Sequence, residues 1–146
     1  MSQGLSPAPE SEALPIVFYD GACGLCHKTV RYLIREDPEG ERFRFAPIGG
    51  ETFARRLDPA LRGGLPDSVV VLEPDGSVHT RTDATLRLLN HLGGRHLRTA
   101  RILRRVPRPL RDLAYATLAA VRHRIWARPD DVCPVASPEL RARFDP

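Results

Sequence analysis

Cys23-Gly24-Leu25-Cys26 follows the apolar run Ile16-Val17-Phe18-Tyr19 and opens a segment, residues 26–35, whose apolar positions recur with helical spacing. The order strand, cysteine pair, helix constrains the fold more than any other feature of the chain. A strand must carry the first cysteine to the end of a sheet, and a helix must begin directly after it. That is the sequence form of a dithiol redox centre. The pattern predicts a buried strand over 14–19 and a helix over 24–36, with Cys26, Val30, Leu33 and Ile34 on its apolar face. Asp37-Pro38-Glu39-Gly40 ends that helix.

Further along, Phe43 and Phe45 alternate with polar neighbours and predict a half-buried strand over 42–46. A short helix over 51–57 carries Phe53 and Leu57, and a second buried strand covers 68–72. Pro74-Asp75-Gly76 is a turn signal, so 77–80 returns as a hairpin partner. Thr82 is a candidate cap for a helix that bears Leu86 and Leu89 and stops at Gly93-Gly94. The order is strand, helix, strand, helix, strand, strand, helix. A parallel βαβ unit followed by a ββα unit is the thioredoxin-like order, with the cysteine pair where that fold keeps its active site. The expected fold class is therefore α/β, thioredoxin-like, with additional C-terminal helices.

Past Gly94 the composition turns basic. Residues 95–106 carry Leu97, Ile102, Leu103 and Val106, and Pro107 and Pro109 interrupt the pattern. A long helix over 109–128 follows, with Leu110, Leu113, Thr117, Val121 and Ile125 along one stripe. The expected organisation is a disordered tail over 1–13, rich in Ser, Pro, Gly and Glu, a core over 14–94, and a basic helical extension over 95–146 packed on the core.

With 146 residues the chain can build a core without disulfide staples. Three cysteines, an odd and small number, do not make a secreted disulfide scaffold. No apolar run reaches the ~18 residues of a membrane span, and the first residues lack a signal-peptide pattern. A cytoplasmic location is the default expectation, and there a Cys-x-x-Cys pair stays reduced unless it is turning over. Net charge is +4, and Lys28 is the sole lysine among 22 basic residues.

Several stretches together resemble one family. Asp20-Gly21-Ala22-Cys23-Gly24-Leu25-Cys26 resembles the signature of the DCC family of predicted thiol-disulfide oxidoreductases. Leu65-Pro66-Asp67-Ser68, Asp75-Gly76 and Thr82-Asp83-Ala84 look like its middle, and residues 107–115 with Cys133-Pro134 look like its tail. The resemblance runs from Leu14 to Phe144. It implies a thioredoxin-like fold and disulfide oxidoreductase activity. The chain departs from thioredoxin proper in having no Trp before the first cysteine and Gly-Leu between the two.

The chemistry follows from helix geometry. A thiolate, not a thiol, attacks a disulfide, and a free cysteine with pKa about 8.5 is little ionised at neutral pH. Cys23 would precede the first helical turn, where unpaired backbone N–H groups and the positive end of the dipole favour an anion. Cys-x-x-Cys thiols at such places have pKa values of roughly 3.5 to 7.5. Cys23 is thus the expected nucleophile. Cys26, inside the helix on its apolar face, is the expected resolving thiol, kept protonated by burial. The competing reading is a zinc half-site completed by Cys133. Zinc needs about four ligands, usually in matched pairs, and there is no second Cys-x-x-Cys.

Asp20, three residues before Cys23, reads either as a proton-managing carboxylate or as a turn former with Gly21. His27 reads as a cation near the thiolate or, preferably, a plain surface residue; His79, His91, His96 and His123 receive no role. In thioredoxin-like folds a cis-proline beside the cysteines presents backbone to substrate. Pro66 stands in that place and reads either as that cis-proline or as an ordinary trans one; if cis, Asp67 or Ser68 would contact substrate. The resemblance also points to Arg111, Asp112 and Tyr115 as supports of the site or as internal pairs. The arginines of 95–111 face a single acid, Asp112. Their charge suits an anionic surface, yet aromatic residues are sparse and no nucleic-acid motif appears, which favours a solvated helix face. Cys133 reads as a packed cysteine before a third redox thiol.

The sequence therefore predicts a thiol-disulfide oxidoreductase, a protein-disulfide reductase in the first instance, with no bound cofactor and no metal. Its partners are a protein or small-molecule disulfide and a dithiol electron donor, with no nucleic acid and no transmembrane segment. The alternative from another class is a partner-binding module on the same scaffold whose cysteine pair is structural or binds zinc.

Overall fold

The computed structural model describes residues 13–20, 24–65, 69–125 and 142–145, with backbone alone at 24–27 and 122–125. Except for Ala13, the predicted N-terminal tail lies outside the described residues. The elements are β1 (Ile16–Tyr19), α1 (Gly24–Glu36), β2 (Arg44–Pro47), α2 (Glu51–Arg56), α3 (Pro59–Arg62), β3 (Val70–Leu72), β4 (Val78–Thr80), α4 (Arg81–Leu92), α5 (Arg95–Arg105) and α6 (Arg108–Ile125).

The four strands form one sheet in the order β2-β1-β3-β4. β1 pairs with β2 in parallel, Val17 opposite Phe45, and with β3 antiparallel, Val17 opposite Val71. β4 pairs antiparallel with β3 through the turn at Asp75-Gly76. This is a thioredoxin-like fold with added C-terminal helices.

Alternation along the strands sorts the side chains into two layers. Val17, Tyr19, Phe45 and Val71 pack with Val30 and Leu33 of α1 and with Ala84, Leu88 and Leu92 of α4. Ile16, Phe18, Ala46, Val70 and Leu72 face the other way, against Phe53 and Leu57 around α2. The Phe18 and Phe53 rings meet edge to face at 5.3 Å, a geometry aromatic pairs prefer.

One local reading is corrected by the structure, and the exposure of another segment is defined by it. The N-cap of α4 is Thr80, not Thr82, and it makes no side-chain cap bond. Thr82 lies inside the helix, where its hydroxyl donates to Asp112 Oδ1 at 3.1 Å. The apolar stripe of α6 also faces outward at its start. Leu110 is 58% exposed and Leu113 65%. The physical reason is that α6 docks by its polar side, through Arg111 and Asp112, onto the first turn of α4.

The C-terminal residues 143–145 close the free edge of β2. Phe45 N–H donates to the Arg143 carbonyl at 2.9 Å and Asp145 N–H donates to the Phe45 carbonyl at 2.8 Å. Phe144 stacks on Phe45 at 5.3 Å, and Arg44 is paired with Asp145, which raises the Arg44 pKa. Arg143 reaches the buried Asp37 just past α1, Nη2 to Oδ2 at 3.0 Å. Burial pushes the Arg143 guanidinium down, and the Asp37 charge opposes that shift.

Candidate active site

The strand directions decide which residues can meet. β1 and β2 end, β3 begins and β4 ends at one edge of the sheet, because β1 and β2 are parallel and β3 is reversed twice over, against β1 and against β4. Asp20 leaves β1 at that edge. α1 begins there four residues later, with Cys26 as its third residue. Its first turn carries no acidic residue, so nothing within the turn offsets the positive end of the helix dipole. Cys23 lies outside the described residues, as do Pro66, Asp67, Ser68 and Cys133; of Cys26 and His27 only the backbone is described.

Asp20 is half-buried and engaged by other groups. It lines a pocket of about 380 Å³ together with Ile48, Phe53, Arg62, Leu65 and Val70. Leu65 and Val70 flank Pro66, Asp67 and Ser68 in the sequence. The pocket floor is continuous with the second core layer, since Phe53 and Val70 belong to that layer and Ile48 and Leu65 pack against it. Pockets of this size, apolar with few polar groups, suit small ligands or a side chain of a larger one.

Arg62 was not foreseen from the sequence. It is the last residue of α3, a single helical turn that Asp58 caps by accepting from Ala60 N–H at 2.8 Å and that Pro59 starts at the first position. Asp-Pro ahead of Ala-Leu-Arg was the readable signal. The Arg62 Nε is buried and has no hydrogen-bond partner among the described residues.

Arg111, Asp112 and Tyr115 lie on the inward side of α6, all half-buried. Asp112 accepts from Thr82, and Arg108 and Arg111 face Asp83, at 3.0 and 3.9 Å. Arg111 Nε also donates to the Val106 carbonyl at 3.1 Å. Thr82 and Asp83 open α4 immediately after β4 reaches the same edge of the sheet that Asp20 leaves. Arg81, at the junction, holds a left-handed φ of 53°, a conformation that costs a non-glycine residue free energy and tends to occur at functional sites.

Two histidines left without a role tie elements together. His96 accepts or donates with Tyr32 Oη at 2.7 Å, joining α5 to α1. His91 meets the buried Glu73 at 2.9 Å, joining α4 to the end of β3. Among the described residues no group of three or more His, Cys, Asp or Glu could hold a metal ion. No helix among them is long and apolar enough to cross a membrane.

Residues 17–128 match the family model of the DCC1-like thiol-disulfide oxidoreductases. The chain belongs to that family. Its relatives include the uncharacterized protein YuxK of Bacillus subtilis, 34% identical over 142 residues that cover 93% of this chain and 98% of the relative. They also include a DCC family protein of Arabidopsis thaliana, At1g52590, described as chloroplastic. It is 30% identical over 125 residues, covering 83% of this chain and 70% of the relative. No solved structure matches the chain. Membership in the DCC1-like family supports a general thiol-disulfide oxidoreductase role.

Proposed function

We propose that the protein reduces disulfides through Cys23 and Cys26, in a core over 14–94 that the basic helices of 95–146 support. The Cys23 thiolate attacks one sulfur of the substrate disulfide, forms a mixed disulfide and expels the first substrate thiolate. Cys26 loses its proton, attacks the Cys23 sulfur and expels the second. The Cys23–Cys26 disulfide holds the two oxidising equivalents until an external dithiol reduces it. The observation that carries this reading is the start of α1 at the edge of the sheet where β1 ends, which gives a thiol ahead of the helix an anion-stabilising place. Asp20, beside it in sequence, is suited to take and return the Cys26 proton. Pro66, Asp67 and Ser68 would present backbone to the substrate, and Arg111, Asp112 and Tyr115 would hold the α4 junction. The proposed setting is the cytoplasm, where dithiol donors are available.

Cysteine substitution tests the reading. Cys23→Ser abolishes turnover of a model disulfide, and Cys26→Ser accumulates a mixed disulfide through Cys23, read as a mass increase. A Cys26→Ser protein that neither traps substrate nor loses activity would remove the mechanism.

A further inference from the structure

The pocket beside Asp20 holds a guanidinium, Arg62, that the exchange chemistry does not use. Its apolar wall, formed by Ile48, Phe53, Leu65 and Val70, calls for an apolar group. Asp20 is already engaged by other groups, whereas Arg62 Nε is buried and has no hydrogen-bond partner among the described residues. A guanidinium whose Nε is withdrawn from water is best satisfied by an anion that can accept from its planar N–H groups. α3 fixes the backbone of Arg62 through the Asp58 cap, and Arg62 N–H itself donates to the Asp58 carbonyl at 3.0 Å. The cation is therefore held by a built turn rather than a loose loop.

We propose that this pocket selects disulfides whose thiol half carries an apolar body and a carboxylate, the body against Ile48 and Leu65 and the carboxylate on Arg62. The proposal rests on the reading of Cys23 and Cys26 as the reducing pair. The reaction is the exchange already described: two electrons pass from the dithiol to the substrate disulfide, and two substrate thiolates leave. Arg62 takes no part in bond making; it is a binding residue that orients the disulfide toward the helix start.

The test uses the full chain, reduced beforehand and freed of reductant, in single-turnover stopped flow. The substrates are 5,5′-dithiobis(2-nitrobenzoate), which carries a carboxylate on each ring, and neutral 2,2′-dithiodipyridine. Arg62→Gln should slow the anionic disulfide by about 10-fold to 100-fold and the neutral one less than twofold. Arg98→Gln removes the same charge from an exposed position on α5 and should change neither rate. Equal slowing of both substrates by Arg62→Gln, no slowing of either, or the same effect from Arg98→Gln overturns the proposal. A separate measurement follows amide shifts of Leu65 and Val70 on adding 3-nitrobenzoate, which has no sulfur. Saturable shifts in the parent and their loss in Arg62→Gln support the pocket even if the cysteines prove inert, in which case the dithiol reading alone fails. Absence of saturable shifts in the parent overturns the pocket.

Discussion

Asp37 offers a quantitative test of how residues 143–145 are joined to the end of α1. Its side chain is only 2% exposed, and Arg143 is 11% exposed. The carboxylate accepts from Glu41 N–H at 3.2 Å, Arg42 N–H at 3.1 Å and Arg143 Nη2 at 3.0 Å. Asp37→Ala strips the acceptor from two amides and leaves the guanidinium against one backbone carbonyl, its contact to Asp37 O at 2.8 Å. Breaking a buried pair by removing one partner costs about 3–5 kcal/mol, a large part of the roughly 5–15 kcal/mol that holds a domain folded. In urea, with a slope of about 1–3 kcal/mol per molar, the midpoint should fall by about 1–5 M with the slope unchanged. Arg143→Met should cost less, since the amides keep their acceptor, and the double variant should cost less than the sum of the two. A loss below about 1 kcal/mol in Asp37→Ala, or strict additivity with Arg143→Met, would refute the view of this pair as a clip.

Three further outcomes are expected. Gly40→Ala should destabilise by more than 1 kcal/mol, on the order expected for a left-handed residue, because φ is +72° and a Cβ would stand 2.9 Å from Arg143 Cδ; thermal unfolding reads this. Thr82→Val keeps the buried volume but removes the donor to Asp112, and should cost about 1 kcal/mol in the same assay. Leu113→Gln should change stability by less than about 0.5 kcal/mol, because Leu113 is 65% exposed; a loss of about 2 kcal/mol or more, the cost of emptying a core position, would show that the residue is buried after all.

Much of the sheet was legible because each strand writes its own burial. The apolar run 16–19, the alternation of Phe43 and Phe45 and the Pro74-Asp75-Gly76 turn each state a local preference that the fold accepts. α1 was equally plain from Val30 and Leu33. The α6 stripe was not, since periodicity reports which side of a helix is apolar and not which side finds a partner. There the buried side is polar, held by Arg111 and Asp112 against residues some thirty positions earlier. The Asp37–Arg143 pair, separated by 106 positions, leaves no local signature at either end. Arg62 was missed for a related reason: one turn of helix is too short for a period, and its value lies in a pocket assembled from three separate segments. The walls of the pocket beside Asp20 were thus not readable in the sequence.

The most direct test of the central claim is the ionisation of Cys23. The reduced protein is alkylated with iodoacetamide across pH, and each cysteine is followed by peptide mass spectrometry. A thiol stabilised by the start of α1 should react with a transition at or below about pH 7.5, with Cys26 ionising well above it. A Cys23 transition near 8.5, the free-cysteine value, would contradict the account.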